Sequence, residues 1–352
     1  MLVFDEGGRP ESLPVLSGRP RPAALRFTTG EPIELVVVLA VYGALRKFPT
    51  LRLRRMSEYR ERVSIVIRTK DRVQLLLRAL DDVLAQTMPD WHLIVVNDGG
   101  DREPVNSLVA AREPLMKGRA EVIHVDSGTG SMEAAANLGA QRSRGEFVVI
   151  HDDDDTWAPE FLSLMVDALD TDPEAVAAAA RTDIVFERIN GDRQIELSRA
   201  PFVPPGEIIT MYDLLQTNRV VPISLLIRRR VYDEIGWYDP ALRAVGDWEF
   251  NLRLVRHGRV VFVGDEPLAF WHQRPHATGA TSNSVFGESL DHMQFDRLVR
   301  DRALQEYIDR NGIGGLLYLS KYIEETTRYY SLQQTIRRAF ERVGRKLRIG
   351  RR

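Results

Sequence analysis

The chain has 352 residues, enough for one large α/β domain with extensions or for two smaller domains. Its content of 44% hydrophobic and 28% charged residues is that of a soluble protein with a sizeable core, and a net charge of -2 favours no particular partner, leaving any nucleic-acid or membrane affinity to local patches; no nucleic-acid partner is expected. There are no cysteines, which excludes disulfides, thiolate metal sites and cysteine nucleophiles together.

The first residues, MLVFDEGGRP, lack a basic region followed by an apolar core, so no secretory signal is expected and the protein reads as cytoplasmic. Residues 1 to about 60 form an extension: Pro10, Pro14, Pro20, Pro22 and Pro32 break it into loop, and 35-LVVVLAVYGAL-45 is too short to span a bilayer. From Val63 the pattern becomes regular. The β-branched run 63-VSIVIR-68 predicts a strand buried on both faces, and Leu76, Leu80, Val83 and Leu84 mark a helix after it. Strand 92-HLIVV-96, a helix from about Val105, and strand 121-EVIHV-125 follow. A helix with the small-residue face Ala135, Ala136, Gly139 and Ala140 leads to strand 147-FVVI-150. Alternating strands and helices predict a mostly parallel sheet flanked by helices. Pro159 suits the start of a helix that buries Phe161, Leu162, Met165 and Leu169. Beyond it come a strand 223-ISLLIR-228, a helix over Trp248 to His257, a strand 260-VVFV-263 and the polar stretch 271-WHQRPHATGATSNS-284. The end, 337-RRAFERVGRKLRIGRR-352, reads as a basic amphipathic helix suited to an anionic lipid surface, or as a solvated tail.

Ligands of parallel sheets bind outside the carboxyl ends of the strands. Three predicted strand ends are polar: 68-RTKD-71, 97-NDGG-100 and 151-HDDDD-155. Neighbouring strands would bring these tips into one crevice. Consecutive carboxylates repel, by about 1 kcal/mol per pair at 4 Å in bulk water and about 4 at an effective dielectric of 20. Asp155 lies near a helix start, where its charge is stabilised by roughly 0.3 to 1 kcal/mol. A divalent cation, Mn2+ or Mg2+, held by one or two of the others would cancel the remaining repulsion. Asp152, Asp154 and Thr156 also match the D-x-D-x-T nucleophile motif of haloacid-dehalogenase-like phosphatases, with Asp152 as nucleophile. That motif belongs on a first strand, and no lysine stands between Lys117 and Lys321 to serve it.

More of the chain is accounted for by another resemblance. From about Val63 to about His276, the segments 63-VSIVIRTKDR-72, 84-LAQTMPDWHLIVVNDGG-100, 137-NLGAQRSRGEFVVIHDDDDTWAPEFL-162 and 246-GDWEFNLRL-254 resemble family 2 glycosyltransferases. The resemblance implies the GT-A fold, a Rossmann-like α/β architecture, over residues 61–276, with an N-terminal extension over 1–60 and a helical C-terminal extension over 277–352. It implies a metal-dependent, inverting transfer of a hexosyl-type sugar from a nucleotide-sugar donor to an acceptor hydroxyl. Thr69, Asp71, Asp98, Asn137, Asp152 and Asp153 would bind the nucleotide-sugar, Asp154 and His272 (or His276) the metal, and Asp247 would be the general base. The glycan or lipid-linked acceptor would belong to surface polysaccharide or glycolipid synthesis, with peripheral contact to the inner face of the membrane through the basic C-terminal helix. This sequence departs from the family at Lys70-Asp71, where Tyr-Asn is common, at Ala136, where arginine is usual, and at Gly246, where a glutamate commonly precedes the base. Asp98 before Gly99-Gly100 also suits a turn, Asp247 a helix cap, and Trp157 and Trp271 either an acceptor platform or packing. A non-catalytic nucleotide-sugar-binding protein is the remaining alternative.

Overall fold

The computed structural model describes residues 61–349 apart from 192, 204–208, 276, 278, 280–282 and 284–288; the 1–60 extension and His276 lie outside the described residues. In chain order the first half runs β1 (Glu61–Thr69), α1 (Val73–Leu84), β2 (Trp91–Asp98), α2 (Arg102–Ala110), α3 (Glu113–Met116), β3 (Ala120–Val125), α4 (Met132–Arg142) and β4 (Gly145–Asp152). Next come β5 (Thr156–Trp157), α5 (Phe161–Thr171), β6 (Ala177–Ala180), β7 (Thr182–Asn190), β8 (Arg193–Pro201) and α6 (Met211–Gln216). The remainder is β9 (Leu225–Arg228), α7 (Arg229–Ile235), α8 (Gly246–His257), β10 (Val260–Val263), β11 (Ala269–Gln273), α9 (Ser289–Asn311) and α10 (Gly314–Ile349).

Seven strands form one sheet in the order β10-β6-β9-β4-β1-β2-β3. β1 pairs in parallel with β4 on one side and β2 on the other, so the chain reverses its direction of winding at β1. That reversal opens a crevice at the carboxyl ends of the three strands. β9 inserts antiparallel between β4 and β6, so the sheet is mixed rather than wholly parallel. Only Leu225–Arg228 of the expected 223–228 strand is extended, because Pro222–Ser224 make a 3-10 turn first.

The central strand is apolar on both faces because both are covered. Val63, Ile65 and Ile67 pack toward Leu76, Leu80 and Val83 of α1, whereas Val66 packs toward Ala135, Ala136 and Ala140 of α4. Each such side chain contributes about 1.5 to 3 kcal/mol on burial. The close approach of α4 depends on its small face: a Cβ on Gly139 would lie 2.2 Å from Val66 Cγ1. Ser131 caps α4 by accepting from the Ala134 N–H at 3.1 Å, which fixes where the helix starts beside the crevice.

A second sheet, β5-β11-β7-β8, stands beside the first. Its β7–β8 hairpin was not expected from the sequence, although Asn190-Gly191 is the dipeptide that favours such a turn; Gly191 has φ +61°. α9 docks on the body through Val299, which joins Leu214, Leu242 and Trp248 in a separate cluster. Along α10, Leu317, Tyr318, Tyr322, Ile323, Tyr329 and Tyr330 are exposed.

Candidate active site

The register places Arg68 opposite Asp152 and Thr69 opposite Asn97, so the polar tips of β4, β1 and β2 are adjacent. They open into a cavity of about 510 Å³ lined by Thr69, Asp71, Asp98, Asp152, Asp153, Asp154 and Asp247, and also by Arg68, Lys70, Arg72, Glu133 and Arg243. Gln273 of β11 and His292 of α9 complete part of the wall.

The four aspartates go to different partners. Asp152 Oδ1 accepts from Arg68 Nε at 2.7 Å. Asp153 accepts from the Thr69 hydroxyl at 2.7 Å and from Arg72 at 3.2 Å; burial, then the adjacent Asp154 charge, push its pKa up to about 7. Asp154 Oδ2 accepts from the Arg274 guanidinium and, at 3.2 Å, from Asn283. Asp155 accepts from the backbone N–H of His272 at 2.8 Å, so it ties β11 down rather than stabilising a helix start. Burial, then the charges of Asp154 and Asp152, raise Asp155 well above the usual carboxylate range.

Asp98 accepts from the backbone N–H of Thr129 and, at 3.0 Å, from its hydroxyl, so it holds the loop that enters α4. Asp71 has φ +53° and accepts from the Asp101 N–H at 3.0 Å, locking the β1 tip to the β2 tip. Asn137 has a different place from the one expected. Its side chain donates to the Tyr238 carbonyl at 2.8 Å and accepts from the Tyr238 N–H at 3.0 Å, so the amide clamps the segment leading to α8 and does not line the cavity.

His272 is also turned elsewhere. Its Nδ1 meets Glu187 at 2.8 Å and its Nε2 meets the Thr156 hydroxyl at 2.9 Å, so both ring nitrogens are engaged. Burial lowers its pKa, which favours the neutral ring. The residue that reaches Asp154 is Arg274, which is 1% exposed and bridges Asp154 to Glu187 at 2.7 Å. Glu187 in turn accepts from Arg78 at 2.9 Å. Burial alone would raise Glu187, but hydrogen bonds from His272 and Arg78 hold it at about 2. Arg78, Glu187, Arg274 and Asn283 were missed in the sequence, where each stands alone without a motif.

Asp247 lies in the first turn of α8, not at its cap. Its Oδ1 accepts from the Trp248 N–H at 2.8 Å and its Oδ2 from Asn218 at 2.8 Å. Burial raises its pKa. Val245, just before this turn, has φ +60°, a costly left-handed conformation for a β-branched residue and of the kind that gathers at functional sites. Glu133 fills the space that Gly246 leaves: a Cβ there would lie 2.5 Å from Glu133 Cγ. Burial first, and also the Asp247 charge, push Glu133 up to about 7, against the pull of Arg68. Trp157 is packing: it stacks on Phe161 with centroids 4.4 Å apart and donates to the Ile223 carbonyl.

Among the described residues no three His, Asp or Glu side chains gather as a metal cage. Asp154 nevertheless has one carboxylate oxygen, Oδ1, without a partner among them, and the cavity wall carries seven carboxyl groups against four Arg and Lys. That donor set fits a cation held by one carboxylate and by oxygens of an anionic ligand.

Residues 64–236 match the model of the family described as Glycosyl transferase family 2. The uncharacterized glycosyltransferase YwdF of Bacillus subtilis (strain 168) is 30% identical over 200 residues, 56% of this chain and 70% of the relative. An uncharacterized glycosyltransferase of Nostoc sp. (strain PCC 7120) is 24% identical over 287 residues, 78% of this chain and 84% of the relative. The crystal structure of residues 1–349 of S. aureus TarS in complex with UDP-GlcNAc superposes with a TM-score of 0.52 at 18% identity, covering 68% of this chain and 65% of that one, a likeness of fold. By that family match and those relatives, the chain belongs to the family 2 glycosyltransferases, has the GT-A fold and is a transferase, which displaces the phosphatase alternative.

Proposed function

We propose that this glycosyltransferase moves a sugar from a nucleotide-sugar donor to an acceptor hydroxyl with inversion at the anomeric carbon. The observation that carries the reading is the convergence of Thr69, Asp98, Asp153, Asp154 and Asp247 on one cavity from separate elements of the fold. Thr69 and Asp98 suit the nucleoside, with Asp98 accepting from a base N–H; Asp71, Asp152 and Asp153 lie on the ribose and diphosphate side. Asp154 would hold a divalent cation, Mn2+ or Mg2+, which when bound offsets the charge developing on the leaving diphosphate. The acidic wall supports this assignment, because a diphosphate adds negative charge to a cavity already rich in carboxylates.

Asp247 takes the proton from the attacking hydroxyl. Its burial raises its basicity, and Asn218 and the Trp248 N–H fix the direction of its lone pairs. One base and one displacement give inversion. Asn137 acts on this step indirectly, by clamping Tyr238 upstream of α8.

Thermal stabilisation by UDP, GDP, CDP and dTDP, each with Mn2+, Mg2+ or a chelator, tests the reading. Cation-dependent stabilisation by one of them is expected, and no response to any would overturn it. Anomeric configuration followed by NMR during transfer then tests inversion.

The acceptor is a lipid-linked or surface glycan in this reading. Supporting it, 337-RRAFERVGRKLRIGRR-352 holds eight Arg or Lys and one Glu, a charge that complements anionic lipid. Among the described residues no helix is long and apolar enough to cross a membrane, so contact would be at the surface. Deleting residues 337–352 is expected to abolish sedimentation with phosphatidylglycerol vesicles, and unchanged sedimentation would overturn the assignment.

A further inference from the structure

Strand β11 and Arg274, which follows it, sort their side chains by the pleat. His272 and Arg274 go to the buried network around Glu187, while Trp271 and Gln273 line the cavity. Gln273 is 3% exposed, yet neither its Oε1 nor its Nε2 has a hydrogen-bond partner among the described residues. Asn283, which lines the same cavity, is engaged elsewhere. The Asn283 amide donates to Asp154 at 3.2 Å and to the His272 carbonyl at 2.8 Å, and its oxygen accepts from the Arg274 N–H at 2.6 Å. A buried amide with both ends unmet costs stability. Because it lines the cavity, both ends are open to a ligand that enters there.

The pairing rules select that ligand. The amide offers donors at one end and an acceptor at the other. A phosphate has acceptors alone and would leave Oε1 unmet. Adjacent sugar hydroxyls both donate and accept, so they satisfy the two ends together. Trp271 beside it is half-buried and held edge-on against Phe202 with centroids 5.3 Å apart, which offers an apolar surface to the C–H side of a sugar ring. We propose that Gln273, on the platform of Trp271, reads the hydroxyls of a sugar ring and so sets which sugar this enzyme handles. The inference rests on the glycosyl-transfer reading above.

Gln273→Met keeps the length and removes both unmet groups. The variant is expected to melt no lower than the parent, because no internal bond is lost. A clear fall in Tm would show internal partners and overturn the proposal. With a panel of UDP-, GDP-, CDP- and dTDP-sugars as probes, binding of the free nucleoside diphosphate is expected to stay within about twofold, while kcat/KM falls by about a hundredfold or more. Discrimination against a donor whose sugar lacks one ring hydroxyl should fall with it. A change confined to the KM of the nucleotide-sugar assigns the donor ring, and one confined to the KM of an octyl glycoside assigns the acceptor ring. If the parent transfers sugar and the variant keeps its full sugar discrimination, this inference fails alone. If the parent transfers from no donor in the panel, the transferase reading falls and takes this one with it.

Discussion

Two sheets build the cavity, and they do so by different means. In the seven-stranded sheet, Thr69, Asp98 and Asp152 stand at the tips of adjacent strands, and simple pairing brings them together. In the four-stranded sheet, β11 reaches the aspartate turn only across the fold: Arg274 meets Asp154, 120 residues earlier, and His272 meets Asp155, 117 residues earlier. The first sheet therefore presents carboxylates to a ligand, and the second fixes how the carboxylates are held. A chemical change at the carboxylates of the first should appear in turnover, and a change at the Arg274–Glu187 bridge of the second should appear in stability.

The largest expected effect is on turnover. Asp247→Asn keeps the size of the side chain and removes the base, so kcat should fall by about 10² to 10⁴. Its binding of nucleoside diphosphate should stay close to that of the parent, measured by calorimetry. Undiminished transfer would remove Asp247 from the chemistry and favour a protein that binds nucleotide-sugar without using this acid. The second sheet is broken most directly by Arg274→Met. With both Asp154 and Glu187 deprived of a buried cation, the loss of stability in urea should reach about 3 to 5 kcal/mol. A loss under 1 kcal/mol would mean that the bridge is not what holds the turn.

The same contrast explains what could be read from the sequence. The β-branched runs, the small face of α4 and the order of acidic tips are local signals, and they identified the larger sheet and its crevice. The second sheet has no such signature. β7 has only the short apolar run Ile184, Val185 and Phe186, β8 mixes charged and apolar residues on a half-exposed hairpin, and Asn190-Gly191 announces the turn. In 271-WHQR-274 a histidine draws attention as a ligand, but the pleat decides which residues face the cavity, and it selects Trp271 and Gln273. Glu133 could not be found either, since its place depends on an absent side chain at Gly246. Long-range complementarity of this kind is written in two distant positions at once.

Acidity separates the sheets next. Glu187 has a folded pKa of about 2 against an ordinary 4.5, so its stabilisation is full above pH 4.5 and is lost as pH falls toward 2. Asp153 has the opposite sign. Its pKa is raised from 3.8 to about 7, so its contribution is full below pH 3.8 and is lost as pH rises through 7. In a series of melting curves against pH, Glu187→Gln should flatten the acid limb, and Asp153→Asn the decline between about pH 4 and 7. Equal effects of both variants on both limbs would erase the distinction between the sheets.

The smallest effect tests where the two designs meet, beside the base. Gly246 has no side chain, and Glu133 of α4 occupies the space; an added Cβ would lie 2.7 Å from Glu133 Oε1. Gly246→Ala should therefore cost about 1 to 3 kcal/mol through overpacking and displace the first turn of α8. Glu133→Ala alone leaves a gap. If the two side chains contend for one space, the double variant must be more stable than the sum of the single losses predicts, and its kcat must recover relative to Gly246→Ala. Strict additivity would mean that Glu133 does not seat the base, and that Asp247 is aimed by Asn218 and the strained Val245 turn instead.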